Sequence, residues 1–236
     1  MKAMILAAGL GSRLGEITKT MPKCLVEVGG VTLLEHVVEQ LKAVGVSSIV
    51  VNTHHFAEQV QQYLKDKKNF EIDIQLSHET DLLETGGGIF RARQHFINHG
   101  DFIVHNADVY HSLDLAALIA AHQQKLPLAS LLVMKRESKR YLIFDQGQHL
   151  IGRMAASGES TLAHDAPVQE LYAFSGIQII SPRLFPYLEG FPEKFSIIDG
   201  YLKAVAAGAT VKGVLMEGDW SDIGTPERLL SLQSSF

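Results

Sequence analysis

The stretch Ala3-Met4-Ile5-Leu6-Ala7-Ala8-Gly9-Leu10-Gly11-Ser12-Arg13-Leu14 decides how the rest of the chain is read. Residues 3–8 form a short apolar run, the mark of a strand buried on both faces. Two glycines and an arginine follow. Without a Cβ at Gly9 and Gly11, backbone N–H groups can come close to an anion. Further apolar runs at 48–52, 72–76, 102–104 and 128–134 read as strands of the same kind. Between them, 32–44, 56–65, 89–96 and 115–122 carry helical spacing. In the first of these Leu33, Leu34, Val37, Val38, Leu41 and Val44 share one face, with Thr32 as a candidate N-cap and Gly45 as the stop. Strand–helix–strand repeated four times predicts an α/β fold whose mainly parallel sheet is covered by helices on both faces.

Beyond Met134 the rhythm changes. Residues 141–145 and 149–154 flank Gln146-Gly147-Gln148 as a predicted β-hairpin, and the polar stretch 155–169 reads as a loop. A strand is expected at 172–180 and a helix at 195–205, where Ser196-Ile197-Ile198-Asp199 has the form of a capping box. A last strand at 210–216 and a terminal helix at 226–232 complete the pattern. No repeat or composition break marks a linker, so residues 1–236 are read as one domain with a hairpin and loop insertion around 139–170.

Composition narrows the function. With 236 residues, 46% of them hydrophobic, the chain can bury about 72% of its unfolded surface and needs no metal or disulfide staple. The formal net charge of −5 argues against nucleic acid or a membrane surface as partner. The single cysteine, Cys24, fits a reducing compartment, and no apolar run approaches the ~20 residues of a membrane span. The opening MKAMILAAGL stops being apolar after Leu10, so it reads as mature, cytoplasmic sequence.

Three constellations could carry chemistry. The glycine loop matches neither the P-loop pattern nor the dinucleotide fingerprint, and Gly15 and Pro22 prevent a long helix behind it. It is bracketed by Arg13 and Lys23, a fork-shaped and a point-like cation that suit a polyphosphate; a strand turn with two surface cations is the plain alternative. In Leu83-Glu84-Thr85-Gly86-Gly87-Gly88-Ile89 three glycines form either a loose turn or a place where a flat group approaches the backbone. In His105-Asn106-Ala107-Asp108-Val109, Asp108 ends the fourth strand, where open α/β sheets bind ligands. It could hold Mg²⁺ against a phosphate or cap the next loop, and Asp222 in Trp220-Ser221-Asp222-Ile223-Gly224 is a candidate partner. The 11 histidines have no zinc-ligand spacing and read as surface or satisfied core residues.

Together these motifs resemble the sugar-1-phosphate nucleotidyltransferases. The resemblance rests on ILAAGLGSRL at 5–14 with Pro22-Lys23-Cys24-Leu25, then Glu84-Thr85-Gly86-Gly87-Gly88-Ile89, Asn106-Ala107-Asp108-Val109 and Trp220-Ser221-Asp222-Ile223-Gly224-Thr225, in order along the chain. It implies a Rossmann-like three-layer α/β/α sandwich with a mixed, mostly parallel sheet. The implied reaction moves a nucleoside monophosphate from an NTP to a sugar 1-phosphate with Mg²⁺ and releases pyrophosphate. UTP with N-acetylmuramate 1-phosphate is the expected pair and GTP with mannose 1-phosphate the alternative. Carried over by residue, Gly9, Gly11 and Arg13 would hold the triphosphate, Lys23 would neutralise the reacting phosphates, and Asp108 and Asp222 would bind Mg²⁺. Leu6, Ala8 and Asn106 would serve the nucleotide, Glu84 and Gly87 would lie near the base, and Glu170 and Gly176 would face the sugar. The family's usual lysine at the acceptor phosphate is replaced in Glu170-Leu171-Tyr172, which leaves Arg140, then Arg153, as candidate cations. Two rival readings are a glycosyltransferase, which would usually carry aspartate where Asn106 stands, and a non-catalytic sugar-nucleotide sensor. An ionised acceptor phosphate needs no general base, so no catalytic histidine is expected.

Overall fold

The computed structural model describes residues 1–168 and 170–234. Strand β1 (Lys2–Leu6) leads into 3₁₀ turns over Ser12–Lys19, broken at Gly15 by its positive φ. A small ribbon, β2 (Glu27–Val28) and β3 (Val31–Thr32), precedes α1 (Leu33–Ala43). Then follow β4 (Ser48–Thr53), α2 (Ala57–Asp66), β5 (Asp73–His78), α3 (Glu84–Arg91), β6 (Phe102–Asn106), β7 (Val109–His111), α4 (Leu115–Lys125) and β8 (Ala129–Met134). The second part comprises β9 (Tyr141–Phe144), β10 (Leu150–Met154), β11 (Ser160–Leu162), β12 (Glu170–Ile180), α5 (Phe185–Leu188), α6 (Ile197–Ala206), β13 (Val211–Leu215), β14 (Trp220–Asp222) and α7 (Pro226–Gln233). No described helix is long and apolar enough to cross a membrane.

The central sheet runs β5-β4-β1-β6-β12-β8-β13. Its first four strands are parallel, β12 lies antiparallel between β6 and β8, and β13 is parallel to β8. The sheet is therefore mixed, with the glycine loop leaving its parallel half. Alternate residues of each strand point to opposite faces, and the two cores divide accordingly. Met4, Val50, Phe102 and Val104 pack with Ile89 of α3 and Tyr201 of α6. Ala3, Ile5, Ile49, Val51 and Ile103 pack with Leu34, Val37 and Leu41 of α1 and Leu118 of α4. This is the three-layer arrangement that the alternation of strands and helices predicts.

Local signals operate as expected in α1, where the Thr32 hydroxyl accepts a hydrogen bond from the Glu35 N–H at 3.1 Å. Three expectations change. The polar stretch 155–169 contains β11, which pairs with β10 through Gly152 opposite Leu162; its three residues are all exposed, so no burial pattern announces it. Gln169 lies outside the described residues. Helix α3 starts at Glu84 instead of 89 and includes all three glycines, poor helix formers whose presence has a packing cause described below. The third change is β7 with β14, a ribbon too short to signal itself in sequence, and it assembles the site.

Candidate active site

A cavity of about 1080 Å³ opens at the carboxyl ends of β1, β4 and β6, bounded there by Leu6, Asn52 and Asn106. The glycine loop forms one wall. Gly11 adopts φ +65°, and a Cβ there would lie 2.8 Å from Thr18 Cγ2 and 3.1 Å from Lys23 Cβ. Both the turn and the close passage of Lys23 therefore require glycine. A Cβ at Gly9 would meet nothing within 4 Å, so that position opens into the cavity. Leu6, Ala8, Arg13, Glu84, Asn106, Asp108 and Arg140 also line it.

Pro22, extended at ψ 143°, turns the chain so that Lys23 points inward. Lys23 is 9% exposed, and its ammonium is ion-paired with the carboxylate of Asp108. Residue 222 comes to the same place because β14 pairs antiparallel with β7, setting Asp222 opposite Val109, while the Ile223 N–H donates to the Asp108 carbonyl at 2.8 Å. The ribbon is pinned from β12, where the Ser175 carbonyl accepts from the Trp220 indole at 2.8 Å, and the Arg136 guanidinium stacks 3.8 Å from the ring centroid. Asp222 is ion-paired through Oδ1 with Arg228, in the first turn of α7. Its Oδ2 lies 3.3 Å, and Arg13 Nη2 3.2 Å, from the point where Gly224 would carry a Cβ. Arg13, Lys23, Asp108 and Asp222 thus converge at one end of the cavity, although Asp222 itself stands behind its lining.

Other candidates are placed differently. Gly87 does not line the cavity: a Cβ there would sit 2.1 Å from the Glu193 carbonyl oxygen, and one on Gly86 would sit 2.5 Å from the Phe195 ring. The Gly86 N–H donates to the Phe195 carbonyl at 2.9 Å. These glycines let α3 press against the protein's own backbone. Gly176 has φ +86° at an irregularity in β12, and its missing Cβ makes room for the Asn106 amide, 2.6 Å from that point. It too lies outside the lining, as does Glu170, which pairs with Phe144 at the start of β12. Their neighbours Phe174 and Gln178 face the cavity instead. Arg140 is exposed at its rim, just before β9, with its backbone fastened to the Ser138 hydroxyl and no carboxylate partner among the described residues. Arg153 is ion-paired with Asp199 of α6 at 2.5 Å.

Beneath the 106–108 turn, His105 and His111 are buried with their Nε2 atoms 2.9 Å apart. The Asn106 carbonyl accepts from His105 Nδ1, and His111 Nδ1 accepts from the Leu113 N–H. The neutral tautomers follow: His111 Nε2–H donates to His105 Nε2. Burial pushes the pKa of His105 down to about 4 and that of His111 down to about 3. Unfolded, both would take up protons below about pH 6.5, whereas the folded pair stays neutral. Their contribution to stability is therefore complete above about 6.5 and falls as pH drops towards 4, by at most about 1.4 kcal/mol per pH unit for each histidine. Urea unfolding at pH 7 and pH 5 should show a lower midpoint at pH 5 that a His105→Gln variant does not share to the same extent. Equal pH sensitivity in the two proteins would contradict this assignment.

The nucleotidyl transferase family model matches residues 2–236. The chain belongs to that family. Among curated nucleotidyltransferases, the N-acetylmuramate alpha-1-phosphate uridylyltransferase of Caulobacter vibrioides is 32% identical over 98% of this chain and 95% of its own. The catalytic subunit beta of mannose-1-phosphate guanylyltransferase from Dictyostelium discoideum is 28% identical over 98% of this chain, which spans 63% of that longer protein. The fold also matches a solved Bacillus anthracis structure, described provisionally as a glucose-1-phosphate thymidylyltransferase, with a TM-score of 0.83 at 22% identity over 100% of this chain and 94% of that one. For a nucleotidyltransferase the convergence at Asp108 has a direct chemical meaning. Two cations and two carboxylates meet where a glycine loop leaves backbone N–H groups near open space, which suits a polyanion with a divalent counter-ion.

Among the wall residues of this nucleotidyltransferase that escape sequence reasoning are two buried polar ones. Asn52 lies next to the last residue of β4 and Glu79 sits in a polar connection, and both are buried against the cavity. A polar residue closing a run as apolar as 48–52 was the available signal for the first; nothing in sequence marked the second.

Proposed function

We propose that this nucleotidyltransferase moves UMP from UTP to N-acetylmuramate 1-phosphate and releases pyrophosphate, a step in cell-wall sugar metabolism. The observation that carries this reading is the similarity to the Caulobacter vibrioides uridylyltransferase over nearly the whole length of both chains. GTP with mannose 1-phosphate is the second reading, supported by the guanylyltransferase relative. Gly9, Gly11 and Arg13 hold the triphosphate, Leu6 and Ala8 offer backbone atoms to the nucleoside, and Glu84 lies on the base side. Asn106 reaches the nucleotide from β6. The reaction asks the protein to bring two polyanions into line, and charge neutralisation does most of that task. Lys23 serves the reacting phosphates once it leaves Asp108. Asp108 and Asp222 fit Mg²⁺, since that ion takes one or two carboxylates and fills its remaining positions with phosphate and water oxygens. Bound there, Mg²⁺ would neutralise phosphate charge. A buried lone cysteine and nucleoside triphosphate substrates suit a cytoplasmic setting.

The test is pyrophosphate release from each of the four NTPs paired in turn with N-acetylmuramate, glucose and mannose 1-phosphates. Turnover best with UTP and N-acetylmuramate 1-phosphate is expected; best turnover with GTP and mannose 1-phosphate would transfer the assignment to the second reading.

On the acceptor side, Arg140 is the cation proposed for the sugar phosphate, because it lines the rim with no carboxylate partner among the described residues whereas Arg153 is held by Asp199. Arg140→Ala should raise KM for the sugar phosphate about thirtyfold, corresponding to ~2 kcal/mol of uniform binding, with KM for the NTP unchanged. An unchanged acceptor KM would return Arg140 to the solvated surface. Glu170 and Gly176, with no place in the cavity lining, would then act on the sugar only through their neighbours in β12.

A further inference from the structure

The Ala7 N–H, at the root of the glycine loop, donates to Asn52 Oδ1 at 2.6 Å. Asn52 Nδ2 donates to Glu79 Oε1 at 2.6 Å, and Glu79 Oε2 accepts from the Leu83 N–H at 3.0 Å, immediately before α3. The Glu79 backbone is fixed as well, its N–H donating to the Thr53 carbonyl at 2.7 Å and its carbonyl accepting from His54 Nδ1 at 2.9 Å. Asn52 and Glu79 are 3% and 1% exposed, so water cannot replace these bonds. Gly88 belongs to the same arrangement: a Cβ there would lie 2.6 Å from Glu79 Oε1 and 2.9 Å from Asn52 Nδ2. The third glycine of the triplet exists to admit this pair.

We infer that Asn52 and Glu79 are positioning residues that join the glycine loop to the start of α3 and so set the width of the nucleotide-binding wall. The polarity of the chain requires it to be built this way. Backbone N–H donors stand at both ends, at Ala7 and Leu83. The amide of Asn52 offers one acceptor and one donor, so the remaining group must accept from both sides, and only a carboxylate does so. A glutamine at 79 is isosteric, yet whichever way its amide turns, two donors face each other somewhere between Ala7 and Leu83. The same accounting says how to repair the fault. Aspartate at 52 with glutamine at 79 again matches every donor to an acceptor: Ala7 N–H to Asp, Gln amide to Asp, and Leu83 N–H to the Gln carbonyl.

The test is therefore the trio Glu79→Gln, Asn52→Asp and the double variant. The inference rests on the nucleotide reading of this wall, so wild-type turnover with UTP or GTP is measured first; failure there falls on that reading and not on the pair. Glu79→Gln should raise KM for the nucleotide about tenfold, the scale of one unmatched buried hydrogen bond. KM for the sugar phosphate should stay as in the wild type. Asn52→Asp, which sets two carboxylates against each other, should do the same or worse. The double variant should recover nucleotide KM to within about threefold of wild type. A merely structural role would lower thermal stability without this KM selectivity. Normal nucleotide KM in the Glu79→Gln variant, or a double variant no better than the single ones, overturns the inference. Where a single variant does not fold, the double decides alone: folded with near-wild-type nucleotide KM it supports the inference, and folded with a raised KM, or unfolded, it overturns it.

Discussion

Lys23→Ala is expected to lower kcat by about 10²–10³ with the fold intact, the scale of one lost donor aimed at developing charge. The reasoning starts from burial. Lys23 is held by Pro22 and by contact with Gly11, and its ammonium rests on Asp108 at the end of the cavity where Arg13 and Asp222 also meet. A lysine with so little solvent contact is aimed, and it lines the cavity beside the glycine loop where a polyanion would enter. Pyrophosphate release at saturating concentrations of both substrates gives kcat directly. Turnover close to wild type would remove Lys23 from the reaction.

The second large effect belongs to the carboxylates. Asp108→Asn and Asp222→Asn should each lower kcat/KM by about 10³, because an amide carries no charge and binds Mg²⁺ weakly, and chelator should abolish the wild-type activity. The two variants should differ in stability, measured with no metal or nucleotide present. In Asp108→Asn the Lys23 ammonium, with 10% of its side chain exposed, loses its counter-charge, and a lower Tm follows. In Asp222→Asn the partner that loses its charge pair is Arg228, 51% exposed, and water takes over at little cost. Equal Tm values in the two variants would contradict the burial argument, and full activity in either would separate that carboxylate from the metal.

How much of this was legible in the sequence depended on whether the signal was local. The first strand, the glycine loop behind it and α1 with its Thr32 cap announce themselves within a dozen residues, because burial period, capping and turn chemistry are short-range properties. The pairing of Asp108 with Asp222 is not short-range. The motifs supplied both residues, but their meeting depends on a three-residue ribbon and on an indole fastened to β12. The glycine triplet shows a different limit. Glycine says that something comes close without saying what, and here Gly86 and Gly87 meet the backbone at 193–195 while Gly88 meets Glu79 and Asn52. Gly224 escaped for the same reason: its role is visible only once Arg13 and Asp222 are seen on either side of it. Strand β11 gave no sign because alternation needs a buried face, and it has none.

The ribbon between β7 and β14 also has a consequence in time. Its two strands are made more than a hundred residues apart, so at synthesis rates of ~5–20 residues per second the first waits on the order of ten seconds for the second. During that interval the ribosome carries a glycine loop, Lys23 and Asp108 but no Asp222 to complete the set. A nascent chain thus lacks Asp222 beside Asp108 until β14 has emerged, and a chain interrupted before β14 has lost one of the two proposed carboxylates for good.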